Sequence, residues 1–92
     1  MPSYLVETYL ARGDAGERAA RELRARRVTK ELARERTLVR FNHSIYVPED
    51  EICFFVFEAP TRRAAVLAAH RAELAPIRVV EAELLRKESR KQ

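Results

Sequence analysis

The sequence predicts an α+β domain with its elements in the order β-α-β-β-α-β, and three observations carry that prediction. Two β-rich runs, 37–47 and 51–60, flank the turn-forming Pro48-Glu49-Asp50 and so make a central hairpin. A run rich in Ala, Arg, Glu and Leu precedes the hairpin and an Ala-rich run follows it, both composed of good helix formers. Near each end of the chain stands one more short segment rich in apolar residues, read as a strand.

In the first strand, 3–10, Leu5, Glu7 and Tyr9 share one face and Tyr4, Val6, Thr8 and Leu10 the other. Gly13-Asp14 turns the chain into a helix spanning 15–36. Asp14 can cap its first turn, with Glu17 three residues on as in a capping box. Glu17–Arg21 and Glu22–Arg26 are i,i+4 pairs in the favourable order. The apolar stripe Ala19, Ala20, Leu23, Val28, Leu32 reads as an ordinary amphipathic helix laid on a sheet; its slip between Leu23 and Val28 leaves a kink or break near Val28-Thr29 as the alternative. In the next strand Val39, Phe41, His43, Ile45 and Val47 fall on one side and Leu38, Arg40, Asn42, Ser44 and Tyr46 on the other. The strand 52–57 is apolar on both sides, as under two layers. Pro60 ends the hairpin and Thr61 caps a helix over 62–74, where Ala residues permit close approach to a sheet. Ala75-Pro76 stops that helix, 77–85 forms the last strand, and 86–92 is a charged, loose tail beyond a single domain of residues 1–85.

This order is the split-βαβ, ferredoxin-like pattern: an antiparallel four-stranded sheet with right-handed crossovers and both helices on one face. The other face is bare and carries Phe, Tyr, Val and Ile, too large an apolar patch to leave wet. Two copies packed sheet to sheet would close a barrel-like cavity between them, so a homodimer is the expectation, a dimeric α/β barrel.

Ninety-two residues allow one domain, and a chain this short gains from a core shared with a second copy. No apolar run reaches membrane-spanning length, and Met1-Pro2-Ser3 leads straight into a strand pattern without a leader. One Cys makes neither an internal disulfide nor a cysteine zinc motif, and a cytoplasmic location with no membrane partner follows as the expectation. The net charge of +4 falls mostly in the Arg-rich helix, interleaved with Glu, and in the tail; a mixed-sign solvated helix face disfavours nucleic acid as partner. There is no glycine-rich phosphate loop, HExxH motif, EF-hand loop or nucleophile elbow.

The chemistry candidates cluster on the hairpin. His43, mid-strand among Val39, Phe41 and Ile45, is either a hydrogen-bonded core histidine or a metal ligand or acid/base group facing a cavity. Its company depends on the hairpin register. A three-residue turn, Pro48 to Asp50, puts His43 with Cys53, Phe55 and Phe57. A two-residue turn, Glu49-Asp50, puts it with Ile52, Phe54, Val56 and Glu58. Pro48 suits the longer loop, which favours His43 with Cys53. Cys53 otherwise reads as an inert buried thiol. Glu7, inside an apolar strand, needs a partner, a ligand or solvent. Ser44 and Tyr46 can donate into a pocket, Arg78 can pair with an inward carboxylate, and His70 reads as surface.

Tyr4-Leu5-Val6-Glu7, the run His43-Ser44-Ile45-Tyr46-Val47, the run Cys53 to Pro60 and Arg78-Val79-Val80-Glu81 together resemble a family of small bacterial domains of unknown function that includes a nickel-binding protein. That family is similar to the dimeric α/β-barrel group, with its muconolactone isomerase-like enzymes and cofactor-free monooxygenases. The resemblance implies a ferredoxin-like dimer and directs attention to Glu7, His43, Tyr46, Cys53 and Glu58. The chain departs from the family at Glu73-Leu74-Ala75-Pro76, where a glycine is frequent, and in its Arg-rich first helix.

Three readings stay open. The first is a dimer binding a small ligand, such as nickel or another divalent metal held by His43, Glu7 and Cys53, with Ser44, Tyr46, Glu58 and Arg78 around the pocket. The second is a cofactor-free enzyme in which His43 or Glu7 moves a proton on a small apolar substrate. The third is a dimeric interaction domain without a site.

Overall fold

The computed structural model describes residues 1–83. The elements are β1 (Ser3–Tyr9), α1 (Ala15–Arg34), β2 (Arg40–Val47), β3 (Ile52–Glu58), α2 (Arg62–Arg71) and β4 (Arg78–Ala82). The strands form one antiparallel sheet in the order β2-β3-β1-β4, a ferredoxin-like α+β fold whose sheet does not close on itself. The expected end of the last strand at Leu85 and the charged tail 86–92 lie outside the described residues.

One face of the sheet is roofed by helices. Tyr4, Val6 and Thr8 of β1 and Cys53, Phe55 and Phe57 of β3 point into the roof, and all are buried. Phe41 of β2 joins them with its ring centroid 5.3 Å from that of Phe57. Ala64, Ala65, Ala68, Ala69 and Ala72 are buried where α2 meets the sheet; their small side chains let the helix lie close.

Helix α1 runs unbroken through Val28-Thr29, as an ordinary amphipathic helix rather than the broken alternative that its apolar spacing left open. Its buried residues are Ala25, Val28 and Leu32, and neither Ala19 nor Leu23 belongs to the stripe. Continuing the same 3-4 spacing toward the N-terminus lands on Arg21 and Arg18. The inward face therefore stays in register by turning polar rather than by breaking.

The ends are finished locally. Thr61 caps α2, its hydroxyl accepting from the Ala64 amide at 3.1 Å, as its position predicted. Asp14 makes no side-chain cap, so the predicted capping box does not form; Glu17 is drawn instead to Arg21. Both helices close on Schellman geometry. The Thr37 amide donates to the Leu32 carbonyl at 2.8 Å and the Leu74 amide to that of Ala69 at 3.0 Å. The left-handed residues those closures need are Arg36 (φ 67°) and Glu73 (φ 58°), neither a glycine.

The hairpin corrects two expectations. Val47 faces Ile52 and His43 faces Val56, so a four-residue loop, Pro48–Glu51, joins the strands; the register is that of the shorter turn, not the favoured longer one. The second correction is a β-bulge at Asn42: Phe41 pairs with Phe57, but His43, not Asn42, pairs with Val56. The extra residue reverses the facing of everything after it. Val39 and Phe41 turn into the core while His43 and Ile45 turn out.

Candidate functional site

Two sites have enough chemistry to consider, one on each face of the sheet. The open face is built of rows running across the strands, because residues opposite one another in an antiparallel ladder project to the same side. One row is His43, Val56, Leu5 and Val80; the next is Ile45, Phe54, Glu7 and Arg78; a third holds Val47, Ile52 and Tyr9. At the other end stand Arg40, Glu58, Ser3 and Ala82. The middle of this surface is apolar, and Ile45 and Tyr9 are 46% and 56% exposed. Its polar groups are few. Arg78 Nε donates to Glu7 Oε1 at 2.8 Å; the carboxylate is mostly covered and the guanidinium mostly exposed. Glu7 thus finds the cation that an acid inside an apolar strand requires. His43 is exposed at the start of its row, and β3, with Phe54 and Val56, stands between it and Glu7.

Cys53 is on the opposite side. Its thiol is fully buried under the helices, and burial pushes its pKa above the ordinary value. His43, Glu7 and Cys53 therefore do not converge within one chain, which corrects the metal set expected from the longer loop. Among the described residues no three His, Cys, Asp or Glu side chains are grouped to hold a metal ion. The donors present do not fit a nickel site in a single chain. Glu58 lies on the open face at its far end. It also borders a cleft of about 380 Å³ with Met1, Ser3, Glu81 and Glu83. His70 is exposed on α2.

Ser44 and Tyr46 share a face, but it is the roofed one. Beneath the first half of α1 they enter a polar network that the sequence reading missed. Arg18 donates through Nε to Ser44 Oγ at 2.8 Å and through Nη2 to the Ser44 carbonyl at 2.9 Å. The Ser44 hydroxyl in turn donates to Glu22. Arg21 Nη1 donates to the Tyr9 carbonyl at 3.0 Å and to Thr8 Oγ1 at 3.3 Å. Thr8, itself fully buried, donates to the Cys53 carbonyl at 2.9 Å. Arg24 bonds the Ala72 and Glu73 carbonyls at the end of α2, where a helix leaves acceptors free. Tyr46 Oη donates to the Leu10 carbonyl at 2.9 Å, and burial, then the charge of Glu51, raises its pKa. Glu22 is thus committed to Ser44, and Arg26 to the face of the Phe41 ring 4.9 Å away; the expected Glu22–Arg26 pair is absent. The signal for this network was present in the sequence: Arg18 and Arg21 extend the Ala25, Val28, Leu32 spacing. These bonds tie α1 to β1, β2 and the end of α2, and they commit Thr8, Ser44 and the Arg18 and Arg21 guanidinium groups to holding the fold.

No family model matches the chain, and no curated protein matches it. Among solved structures, that of SCO4226 from Streptomyces coelicolor A3(2) superposes with a TM-score of 0.74 at 14% identity, covering 91% of this chain and 99% of the other. At that identity the likeness concerns the fold.

Proposed function

We propose that this protein is a homodimeric binding domain in which two copies pack their open sheet faces together and enclose a small, largely apolar molecule. The uncovered face is the observation that carries the reading. It presents Leu5, Ile45, Phe54 and Val80 in adjoining rows around an already buried Val56, with no helix over them, a surface that gains by leaving water. Its charged residues balance, Glu7 and Glu58 against Arg40 and Arg78, so a copy can meet its twin about a two-fold axis without net repulsion. Sites of this kind are apolar with a few oriented polar groups, and here His43 and the Glu7–Arg78 pair supply them. Engagement of Glu7 by Arg78 supports binding over proton transfer as the work of this face. A divalent metal would need His43 from both copies, so an organic ligand is the better-supported occupant. No helix among the described residues is long and apolar enough to cross a membrane, and a buried free thiol suits a reducing compartment such as the cytoplasm.

Sedimentation equilibrium tests the reading. At about 50 µM the parent sediments as a dimer and Phe54→Glu as a monomer with unchanged helical circular dichroism. A parent that sediments as a monomer overturns it. Nickel calorimetry on the parent and on His43→Ala separates the ligand classes: an organic site gives no histidine-dependent heat, a shared metal site gives one.

A further inference from the structure

The remaining unexplained feature is the outer surface of α1, which sorts its charges by sign. The helix holds seven cations and three carboxylates, an excess as large as that of the whole chain. The carboxylates Glu17, Glu22 and Glu31 are all half-buried, toward the sheet or α2. The exposed charged residues are Arg26, Arg27, Lys30 and Arg34, without one acid among them. Neutralising partners are engaged elsewhere: Glu17 with Arg21 and Arg24, Glu22 with Ser44, Glu31 with Arg27, and Glu35, just beyond the helix, with Arg71. Arg26, Lys30 and Arg34 have no ion-pair partner among the described residues; Arg26 lies over the Phe41 ring, a contact that uses the guanidinium face and leaves its N–H edge for an acceptor. They follow one another at i,i+4, a straight row of about 12 Å on a rigid helix. The mixed-sign helix expected from the sequence carries acids as well as cations, but the exposed charges left unpaired among the described residues, Arg26, Lys30 and Arg34, are all positive.

We propose that this surface binds the phosphate backbone of a nucleic-acid duplex without reading its sequence. Two guanidinium groups with an ammonium between them suit phosphate oxygens, and a fixed helix presents them at little entropic cost. The rest of the face selects among anionic partners. It carries no aromatic side chain on which unpaired bases could stack, which argues against a single strand. Its apolar residues are Leu23 and the small Ala15, Ala19 and Ala33, too little to insert into a bilayer surface. The surface lies on the side of the helical layer away from the open sheet face, so the proposal is independent of the dimer.

Fluorescence anisotropy with a labelled mixed-sequence duplex of about 20 base pairs, as DNA and as RNA, tests it at salt from about 50 to 200 mM. The expected result is binding to at least one duplex, with a log–log salt slope near about −3, for three phosphates neutralised. Lys30→Glu with Arg34→Glu weakens binding at least about tenfold, because two of those contacts invert. Arg62→Glu with Arg63→Glu, the same change of net charge on exposed residues of α2, weakens it less than about threefold. No duplex binding at the lowest salt overturns the proposal. Equal losses in the two double variants overturn it as well, as does tighter binding to vesicles of phosphatidylcholine and phosphatidylserine.

Discussion

The two faces of this sheet draw on the same apolar residue types and meet different fates. On the roofed face Phe55, Phe57 and Cys53 lose all contact with solvent, and the polar groups among them, Thr8 and Ser44, are matched by Arg18, Arg21 and Glu22. On the open face Ile45 and Tyr9 stay wet and His43 has no hydrogen-bond partner among the described residues. Neighbours in sequence, Phe54 and Phe55, sit on opposite sides of this divide. The difference teaches that apolar content alone does not make a core: what closes the roofed side is the helical layer and the hydrogen bonds that meet Thr8 and Ser44 beneath it.

The widest contrast is expected between those two phenylalanines. Phe55→Ala empties a fully buried site and costs about 3–5 kcal/mol, whereas Phe54→Ala costs about 1 kcal/mol in the isolated subunit. Urea unfolding at low protein concentration measures both; equal losses would erase the distinction between the faces. A smaller effect attaches to the polar network. Arg18→Met keeps the aliphatic stem but strips the Ser44 hydroxyl and carbonyl of the hydrogen bonds they accept from the guanidinium, at about 1–3 kcal/mol. Arg34→Met, outside the network, stays within about 0.5 kcal/mol by the same assay. The smallest effect is acid sensitivity. A hydrogen bond from Arg71 holds the Glu35 carboxyl below its ordinary value of 4.5, and one from Arg21 does the same for Glu17. With the folded value depressed, the stabilisation is whole above about pH 4.5 and is lost as the pH falls through the folded values. Both groups are at the surface, so the loss is slight. The drop in urea midpoint between about pH 7 and pH 3 is therefore smaller in Glu35→Gln than in the parent.

The element order was legible because alternation in the strands, the Thr61 cap and the Pro residues are local signals. The site was less so. The two turn lengths around Pro48 differ by one residue, and local preference for Pro at the start of a loop cannot weigh the packing of Phe55 and Phe57 against that of Phe54. The bulge at Asn42 has no mark in the alternation of Val39, Phe41, His43, Ile45 and Val47, which reads as one unbroken face. Arg18 and Arg21 continue the buried Ala25, Val28, Leu32 spacing, but a stripe followed by its apolar members alone passes over them. Glu17 has two local signals, Asp14 three residues before it and Arg21 four after it, and the ion pair with Arg21 prevails over the capping box.

The bulge has a consequence for how this surface can change. Since the strand carries its own frame shift, positions 43, 45 and 47 belong to a different compartment from 39 and 41, despite their common parity. Selection can rewrite the first three to suit a new occupant without asking the interior for any accommodation. A strand that alternated faithfully would have tied the two together.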